Sequence, residues 1–487
     1  VYQDDDNYVQ ISRMYQAGNI IAFVREFNGT GQVLRTINET TTTNIYLRLD
    51  RDQLTQNITS YYSIDGINWI QVGSVVRQLS NPRFAIFVGA SPGGFPNADI
   101  GWAEVYTTQI IDEFHAYPDN ILFKTIYGQQ INSTQTIKTY TEFDARINWN
   151  LSTDAPWITT NIQNGETGDT LIVSANVTGI GAGVHTGNII IESPESVADP
   201  MTIPVTLIIN PDVPVKAATW KDDLPGAMSV SVDDGYDSGF IELQSNGLQG
   251  TYVTNGTVPP SYFTNLYNSG MELGSHLVNH LCEILPDEVL STEEIEPNIL
   301  GIDTYTPQPP EDIITLVWPC GVTNYREQAV ASDYFLSARG YNINQLEDAT
   351  PKNFMNLKSF NSHEHPPFPP EDLKTVVDLA IVQQKWFNLV LHSQTNDDGA
   401  IEYASTQNIW VTSIGNVIKY IMQRDRLILT NYSTGADFIR FDASRLSIPN
   451  TEVKNFEAAF HSNDITTLQV DIDDTRVIEE VLVNGIV

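Results

Sequence analysis

The spacing of apolar side chains changes once along the chain, near residue 215, and this change constrains the fold more than any other feature. Before it, runs such as Ile45-Tyr46-Leu47-Arg48-Leu49-Asp50 alternate apolar and polar residues, which is typical of half-buried strands. After it, strand-like runs such as Met228-Ser229-Val230-Ser231-Val232 alternate with helix-like segments. One such segment has apolar residues at helical spacing, at Ile414, Val417, Ile418 and Ile421. The sequence therefore predicts β modules followed by an α/β domain.

Turn and proline signals divide the 487 residues into four segments. Pro211-Asp212-Val213-Pro214-Val215 predicts a stiff linker, because each proline fixes its own φ and restricts the residue before it. At roughly 150 residues per domain, the length fits about three domains. We predict two N-terminal β-sandwiches, an α/β barrel or layered α/β domain, and a small C-terminal β segment. Their predicted bounds are 1–110, 118–211, 216–432 and 433–487.

The first segment contains a hairpin signal. Two strand-like runs, 60–63 and 68–72, flank Asp65-Gly66, a dipeptide that favours tight turns between strands. Further strands are predicted at 84–89 and 101–106. The stretches "YLRLDRD" and "YYSIDGINWIQVG" resemble the concanavalin A-like sandwich modules appended to many glycan-active enzymes.

The second segment carries short apolar strands separated by Gly, Asn and Pro turns. Its order "NWNLSTDAPWITT", "GVHTGNIIIES" and "IPVTLIIN" resembles the BACON-type, immunoglobulin-like modules found beside carbohydrate enzymes. The resemblance implies either a spacer or a sugar-binding module, and the spacer is favoured. In the last segment, β-like runs at 467–471 and 477–483 predict only a small appendage.

Acidic residues dominate the charge of the chain, since 60 Asp and Glu against 25 Lys and Arg give a formal net charge of −35. This charge repels phosphates and anionic headgroups, so nucleic acid and anionic membranes are excluded as partners of the whole surface.

No apolar run approaches the roughly 20 residues that span a bilayer. The start at Val1-Tyr2-Gln3-Asp4-Asp5-Asp6, unlike a signal peptide, and eight Asn-x-Ser/Thr sequons are in keeping with a mature secreted glycoprotein. We therefore expect an extracellular or cell-surface location. The sequence does not decide between a single chain, an oligomer and a surface assembly.

Two adjacent carboxylates, Asp233 and Asp234, directly follow an apolar strand-like run. Like charges at the end of a buried strand cost stability unless a cation or a proton is held there. His276 and His280 are four residues apart, which lets both imidazoles reach one metal from a helical turn or a tight loop. Two neutral imidazoles and one carboxylate make a three-ligand site for Zn²⁺ or a similar divalent ion, with a position left for water. His392, after another apolar run, is the candidate general acid.

Each of these residues also has a structural interpretation. Asp-Asp-Gly alone is more often a solvated turn, and two histidines four apart are alone more often hydrogen-bonded structural residues. Their combination with His392 favours the metal site. His363-Glu364-His365 has a metal-like composition too, but it precedes Pro366-Pro367-Phe368-Pro369-Pro370, so a surface or rim loop is favoured there.

Four motifs in this order, "SVDDGY", "ELGSHLVNH", "VWPCG" and "LVLHS", resemble those of the polysaccharide deacetylases of carbohydrate esterase family 4. The resemblance covers about 216–432 and implies a deformed (β/α) barrel. It implies Asp233 as the catalytic base and His392 as the acid. The implied metal ligands, for a divalent ion with zinc favoured, are Asp234, His276 and His280. The backbone N–H of Cys320, which follows Trp318 and Pro319 in the third motif, is implied to hold the oxyanion beside the substrate.

The chain departs from the pattern of this family at several places. Val317 stands where the third motif usually begins with an arginine that braces the base, and Arg339, in "FLSARGY", is a candidate to replace it from another strand. Leu277 replaces the Ser or Thr that usually follows the first metal histidine, and Cys320 replaces a common aromatic residue. The tryptophan-containing fourth motif is not found.

The chain has two cysteines, Cys282 and Cys320, which flank the second and third motifs. The fold implied by the resemblance brings them near one another. A disulfide beside the site is therefore expected if the protein is secreted, and two free buried thiols are the alternative.

These observations lead to two functional hypotheses. The first is metal-dependent hydrolysis of N-acetyl groups, and in second place O-acetyl groups, on an extracellular polysaccharide that contains N-acetylglucosamine. The second is a carbohydrate-binding or cell-surface structural protein that reuses a deacetylase fold without turnover. Val317 and the missing fourth motif support the second hypothesis, whereas the intact Asp, His, His set and His392 oppose it.

Overall fold

The structure, a computed structural model, divides the chain into two units. By their internal contacts these are residues 1–113 with 141–145, and residues 114–140 with 146–487. The residues that it describes are 1–15, 19–39, 45–52, 55–79, 82, 83, 85, 86, 114–141, 146–194, 196, 200–363, 369, 371–435, 437–462 and 464–472.

The described part of the first unit consists of antiparallel strands. They are β1 (Tyr2–Asp4), β2 (Asn7–Tyr15), β3 (Asn19–Phe27), β4 (Thr30–Asn38), β5 (Tyr46–Arg51), β6 (Asn57–Ser63) and β7 (Ile70–Val76). Strands β1 to β4 form one sheet and β5 to β7 another, each in chain order. Phe23 of the first sheet and Ile58 and Val72 of the second are buried in one apolar core, so the two sheets share their interior.

The hairpin predicted in this unit is confirmed. Strands β6 and β7 pair in antiparallel fashion on either side of Asp65-Gly66, and the Asp65 carboxylate accepts the backbone N–H groups of Ile67 and Asn68. The strand predicted at 101–106 and most of that at 84–89 lie outside the described residues, and residues 85 and 86 lie outside any strand.

The second unit begins with two further sheets. Their strands are β8 (Phe114–Tyr117), β9 (Ile121–Ile126), β10 (Gln135–Thr141), β11 (Asn148–Thr153), β12 (Ile158–Thr160), β13 (Asn164–Glu166), β14 (Thr170–Ala175), β15 (Gly183–Glu192) and β16 (Met201–Asn210). The sheet orders are β12-β14-β10-β8 and β13-β11-β15-β16-β9. Along β15 the side chains of Ile189 and Ile191 are buried and their neighbours are not, which is the alternation of a sheet with one face in a core.

The remaining strands of the second unit build the α/β region. They are β17 (Val215–Ala217), β18 (Ala227–Val232), β19 (Thr251–Thr254), β20 (Glu272–Ser275), β21 (Thr315–Val317), β22 (Ser337–Ile343), β23 (Leu357–Asn361), β24 (Trp386–Leu391), β25 (Trp410–Val411), β26 (Leu427–Thr434), β27 (Ile439–Arg445) and β28 (Leu468–Val470). Strands β18 to β24 are parallel and close into a seven-stranded barrel, because β18 pairs with both β19 and β24. The short strand β25 lies beside the start of β18. The predicted α/β barrel is thus confirmed.

Helices cover the outside of this barrel. The α-helices are α1 (Phe240–Ser245), α2 (Phe263–Asn268), α3 (Asp287–Val289), α4 (Glu296–Tyr305), α5 (Tyr325–Ser332), α6 (Leu373–Gln383), α7 (Ala400–Ser405) and α8 (Ile414–Asp425). A π-helical turn, Leu290–Ile295, joins α3 to α4, and 3₁₀ turns occur at Lys221–Asp223, Pro310–Asp312, Pro319–Gly321 and Phe456–Ala459. The helix predicted around 414–421 is α8, whose apolar face is buried and whose first turn is capped by the Ser413 side chain. None of the helices in the described part of the chain has the length and apolarity that crossing a bilayer requires.

Residues beyond the predicted barrel boundary at 432 pack against the barrel. Strands β26 and β27 form an antiparallel hairpin, and β28 pairs with β17. Phe456 and Ala459 are buried in the same apolar cluster as Trp220 and Trp386. The β run predicted at 467–471 corresponds to β28, and the run at 477–483 lies outside the described residues.

Candidate active site

The carboxyl ends of neighbouring barrel strands carry the polar residues singled out from the sequence. Asp233 and Asp234 follow β18, His276 follows β20 and His392 follows β24. All the barrel strands are parallel, so these ends lie at the same mouth of the barrel, where α/β barrels hold their functional residues. The strands themselves are buried along their whole length at β18 and β24, which fixes the positions from which these side chains project.

Asp233 is held by a buried arginine. Both of its carboxylate oxygens accept from Arg339 Nη2, at 2.6 and 2.5 Å. The Arg339 side chain is fully buried and that of Asp233 is only 4% exposed. A charge-assisted hydrogen bond between two side chains that are shielded from water fixes the orientation of the carboxylate.

Arg339 reaches Asp233 from the strand beside the one expected to supply an arginine. Val317 of β21 and Arg339 of β22 are register partners in adjacent parallel strands. Side chains at paired positions of neighbouring strands project to the same face of a sheet. The guanidinium of Arg339 therefore approaches Asp233 from a position one strand away from Val317.

His392 approaches the same carboxylate. Its Nε2 is 3.8 Å from Asp233 Oδ2, and its side chain is 17% exposed. The Tyr341 ring meets the imidazole edge to face, with ring centroids 6.0 Å apart. The imidazole is therefore packed in place yet open enough to meet a substrate.

Asp234, His276 and His280 form a compact group of potential metal ligands. Asp234 Oδ1 is 3.5 Å from His276 Nε2 and 3.3 Å from His280 Nε2, and one ligand atom from each of the three residues lies within 4.8 Å of the others. The hydrogen bond with His276 is the main reason why the pKa of Asp234 lies below its usual value, against the opposing effect of burial.

The backbone supports this group by unusual local conformations. Asp234 has a φ of 58°, in the left-handed region that short polar residues tolerate best, and Gly235 follows with a φ of 75°. The two histidines lie in a tight loop after β20 and not on a helix. Of the helical turn and the tight loop that their spacing allows, the structure therefore has the tight loop.

A divalent metal fits these residues. His276 Nδ1 lies 2.8 Å from the backbone carbonyl of Val317, so this nitrogen carries a proton. Nε2 faces Asp234 and His280, and it would bind a metal once its own proton is displaced. Metal-binding histidines commonly have such a partner for the ring nitrogen that does not bind the metal. Two imidazoles and one carboxylate suit Zn²⁺ and leave a position for water.

The third motif forms a turn beside this group. Pro319–Gly321 is a 3₁₀ turn in which Cys320 has a φ of 54°. A Cβ added to Gly321 would lie 2.6 Å from the backbone nitrogen of Tyr341, so only glycine fits there. The Trp318 indole is buried and donates to the Met355 carbonyl, so this side chain packs in the barrel core.

The structure joins Cys282 and Cys320 by a disulfide, with Cα atoms 5.5 Å apart. Cys282 lies two residues after His280, and Cys320 lies in the turn of the third motif. The bond therefore links the loop of His276 and His280 to the turn of the third motif.

His363 is the described residue of the second histidine-rich motif. Its Nδ1 is 2.6 Å from Asp398 Oδ2, and both side chains are about one-third exposed. Glu364 and His365 lie outside the described residues. His363 is thus not part of the group around Asp234.

Two residues behind the histidine loop, Glu294 and Asn298, could not be singled out from the sequence. Both are buried, and both hydrogen-bond to that loop. Glu294 lies in the acidic run Glu293-Glu294-Ile295-Glu296, which is typical of a solvated helix face, so no signal in the sequence marks it as buried.

Comparisons with known proteins give distant similarities. No protein-family model matches the chain. A stretch is 25% identical over 257 residues to gellan lyase from a Bacillus species, and the match covers 43% of this chain and 10% of gellan lyase. The chain therefore spans about a tenth of the length of that curated relative.

Several solved structures are similar at low identity. A family 4 carbohydrate esterase from Streptomyces lividans in complex with acetate is 16% identical with a TM-score of 0.26, and the match covers 39% of this chain and 92% of that chain. A family 4 acetyl xylan esterase from Clostridium thermocellum in complex with a cobalt ion is 14% identical with a TM-score of 0.29, covering 39% and 89%. A pseudoenzyme of the same family from Bacillus anthracis is 10% identical with a TM-score of 0.30, covering 56% and 90%. Any functional assignment therefore depends on the residues of this chain.

Proposed function

We propose that this protein is a metal-dependent deacetylase that hydrolyses acetyl groups, in the first place N-acetyl groups, on an extracellular polysaccharide. The observation that carries the proposal is the position of Asp233. This carboxylate is fixed by Arg339, lies 3.8 Å from His392, and is followed in the chain by Asp234, which faces His276 and His280. A base, an acid and a three-ligand site at one barrel mouth are the parts that amide or ester hydrolysis needs.

The roles of the side chains follow from their positions. Asp233 takes a proton from the attacking water, and Arg339 keeps the carboxylate turned towards that water. His392 gives a proton to the leaving nitrogen or oxygen of the sugar. The Cys320 N–H donates to the oxygen that becomes negatively charged in the tetrahedral intermediate.

Asp234, His276 and His280 would hold the metal, with zinc favoured by the two imidazoles. When bound, such an ion polarises the acetyl carbonyl and lowers the pKa of its water. The hydrogen bond from His276 Nδ1 to the Val317 carbonyl keeps one ligand aimed at the site before any metal arrives. Asp233 is not needed as a ligand and stays available as the base.

The substrate and the location are further parts of the proposal. The stretch shared with gellan lyase adds a carbohydrate-active relative, and the appended β-sheets would hold the enzyme near its polymer. The bond between Cys282 and Cys320 favours an oxidising compartment outside the cytosol. A polymer that contains N-acetylglucosamine is the first substrate to test.

The test is metal analysis of the purified protein together with acetate release from chitin oligomers and acetylated xylan. We expect about one equivalent of zinc or a similar ion per chain, and its loss in His276→Ala and His280→Ala, because each removes one of three ligands. We expect acetate from the chitin oligomers. Bound metal without acetate from either glycan would favour the rival hypothesis, a carbohydrate-binding or structural protein without turnover.

A further inference from the structure

The loop that carries the metal histidines has a backbone that needs outside support. Leu277 and His280 both have positive φ values, 60° and 49°, in the left-handed region that residues with a side chain rarely adopt. Leu277 is buried in the barrel core, and its carbonyl accepts from the Gly256 N–H. Something beyond local preference must therefore keep His280 facing Asp234.

Glu294 supplies this support from behind the loop. One of its carboxylate oxygens accepts the backbone N–H groups of Val278 and Asn279, both at 2.8 Å. The other accepts from the Asn279 side-chain amide at 2.6 Å. Glu294 is only 1% exposed, so water does not compete for these bonds. The residues that it binds are the two immediately before His280.

The backbone around Glu294 is adapted to this contact. Glu294 lies in the π-helical turn Leu290–Ile295, and such turns often occur at functional sites. One helical turn further on, in α4, the Asn298 amide donates to the carbonyls of Thr254, Gly256 and Leu277. The π turn and the start of α4 thus hold both ends of the loop between His276 and His280.

We propose that Glu294 is a positioning residue for the metal site, acting through the backbone of Val278 and Asn279 to set the place of His280. The inference rests on the proposed metal site. Loss of a residue that orients a metal ligand commonly lowers metal affinity by about 10–100-fold, and we expect an effect of this size when Glu294 is removed.

The experiment titrates metal-stripped protein with Zn²⁺ and measures the Kd by calorimetry, alongside the melting temperature without metal. Glu294→Ala removes all three bonds and is expected to weaken zinc binding by about 10–100-fold. In Glu294→Gln the remaining oxygen still faces the two backbone N–H groups, and a flip of the Asn279 amide restores the third bond. This variant is expected to bind zinc within about threefold of the wild type.

Glu347→Ala is the matched control. Glu347 is also buried and also accepts two backbone N–H groups, from Asp348 and Lys358, at 2.9 Å each. It lies near the start of β24, at the opposite end of the barrel from His392. We expect Glu347→Ala to lower the melting temperature as Glu294→Ala does, but to leave the zinc Kd unchanged.

The zinc titrations distinguish failure of the proposed metal site from failure of the role assigned to Glu294. A wild-type protein that binds no zinc or other divalent ion would contradict the proposed metal site itself. A wild type that binds zinc, with Glu294→Ala binding equally well, would overturn only the role of Glu294. If Glu294→Ala does not fold, Glu294→Asp keeps a carboxylate that is one methylene too short to reach all three donors. Its zinc Kd is then expected to rise several-fold, and an unchanged value would overturn the inference.

Discussion

Asp233 is the residue on which the proposed chemistry depends, and its surroundings explain how a buried carboxylate can be kept there. Arg339 compensates its charge at 2.5–2.6 Å, and His392 approaches the same group. Removing one partner of a buried pair leaves the other uncompensated, so the arginine matters for both position and stability.

The first prediction concerns Arg339. Arg339→Met is expected to lower kcat by about 10²-fold or more, because Asp233 loses its fixed orientation and a misplaced base forfeits most of its contribution. Arg326→Met is the control, since the buried Arg326, on helix α5, pairs at 3.0 Å with the partly buried Asp287 of α3. Acetate release by both variants, with melting temperatures, measures the difference.

A rescue experiment sharpens this prediction. Val317 and Arg339 are register partners, so the double variant Val317→Arg with Arg339→Val offers the guanidinium from the neighbouring strand. We expect the kcat of the double variant to be at least about ten times that of Arg339→Met. Arg339→Val alone should have a kcat no higher than that of Arg339→Met. Equal activity of Arg339→Met and the wild type would contradict a role for Arg339 in holding the base.

At this scale the sequence indicates the candidate reactive residues more clearly than the residues that support them. Asp233, Asp234 and the histidines stand out because polar residues follow apolar strands. Arg339 could be only a candidate, since its reach depends on the register between β21 and β22. Glu294 could not be found, because its burial depends on a π turn that no residue pattern indicates.

Helix α5 shows how one element combines capping with an unusual ionisation. Its N-cap, Asn324, accepts the N–H of Glu327, and the Glu327 carboxylate accepts the N–H groups of Asn324 and Leu285. Burial raises the pKa of Glu327 to about 7, against the opposing effect of these hydrogen bonds. The folded state therefore keeps a proton that the unfolded chain releases in mild acid.

The second prediction follows from this pKa. Above pH 4.5 the unfolded chain loses the Glu327 proton, whereas the folded protein holds it to about pH 7, so this group lowers the free energy of unfolding as pH rises through that window. The loss is at most about 3 kcal/mol and is complete above the folded pKa. Glu327→Gln should remove this part of the pH dependence, as measured by urea unfolding at pH 4.5 and pH 8. Parallel profiles for both proteins would contradict the assignment.

The third prediction concerns the disulfide between the second and third motifs. Peptide mapping without reduction is expected to recover residues 282 and 320 in one linked fragment. Because the bond closes a loop between residues 38 apart, replacing both cysteines by serine should lower the free energy of unfolding by up to about 4 kcal/mol. Two free thiols in protein from an oxidising compartment would rule out the bond.

Elements with a clear periodicity were the ones that could be predicted. Strands β18 and β24 are mostly apolar and buried along their length, and α8 has a regular apolar stripe. Helix α4 could not be recognised in this way, because its buried residues are Asn298, Gly301 and Ile302 and its apolar positions form no stripe. Its place is set by hydrogen bonds and by the close approach of Gly301 to Thr257.

The whole molecule combines a strongly acidic surface with a candidate deacetylase site. N-deacetylation would create amines that become cationic, and a chain with a net charge of −35 attracts such a product.

Closure of the barrel is also a property of the whole molecule. Strand β18 must pair both with β19, which follows it shortly in the chain, and with β24, which lies near the end of the domain. Local spacing indicates the strands but not which of them meet.

The fourth prediction tests the acidic surface. Retention on a column of partly deacetylated glycan should be strong at low salt and weak at high salt, because screening shortens the range of the attraction. A fully acetylated column of the same polymer is the control and should show little change with salt. Retention that is equal at both salt concentrations would argue against an electrostatic contribution.

Acetate release from a chitin oligomer by wild type and Asp233→Asn, both with their metal content measured, tests the central claim most directly. Asp233 is assigned as the base and not as a ligand, so the variant should keep the metal at the level of the wild type. Its kcat should fall by about 10²–10⁴-fold, the usual contribution of a general base. Equal acetate release by the two proteins, or none by the wild type with its metal bound, would contradict the account.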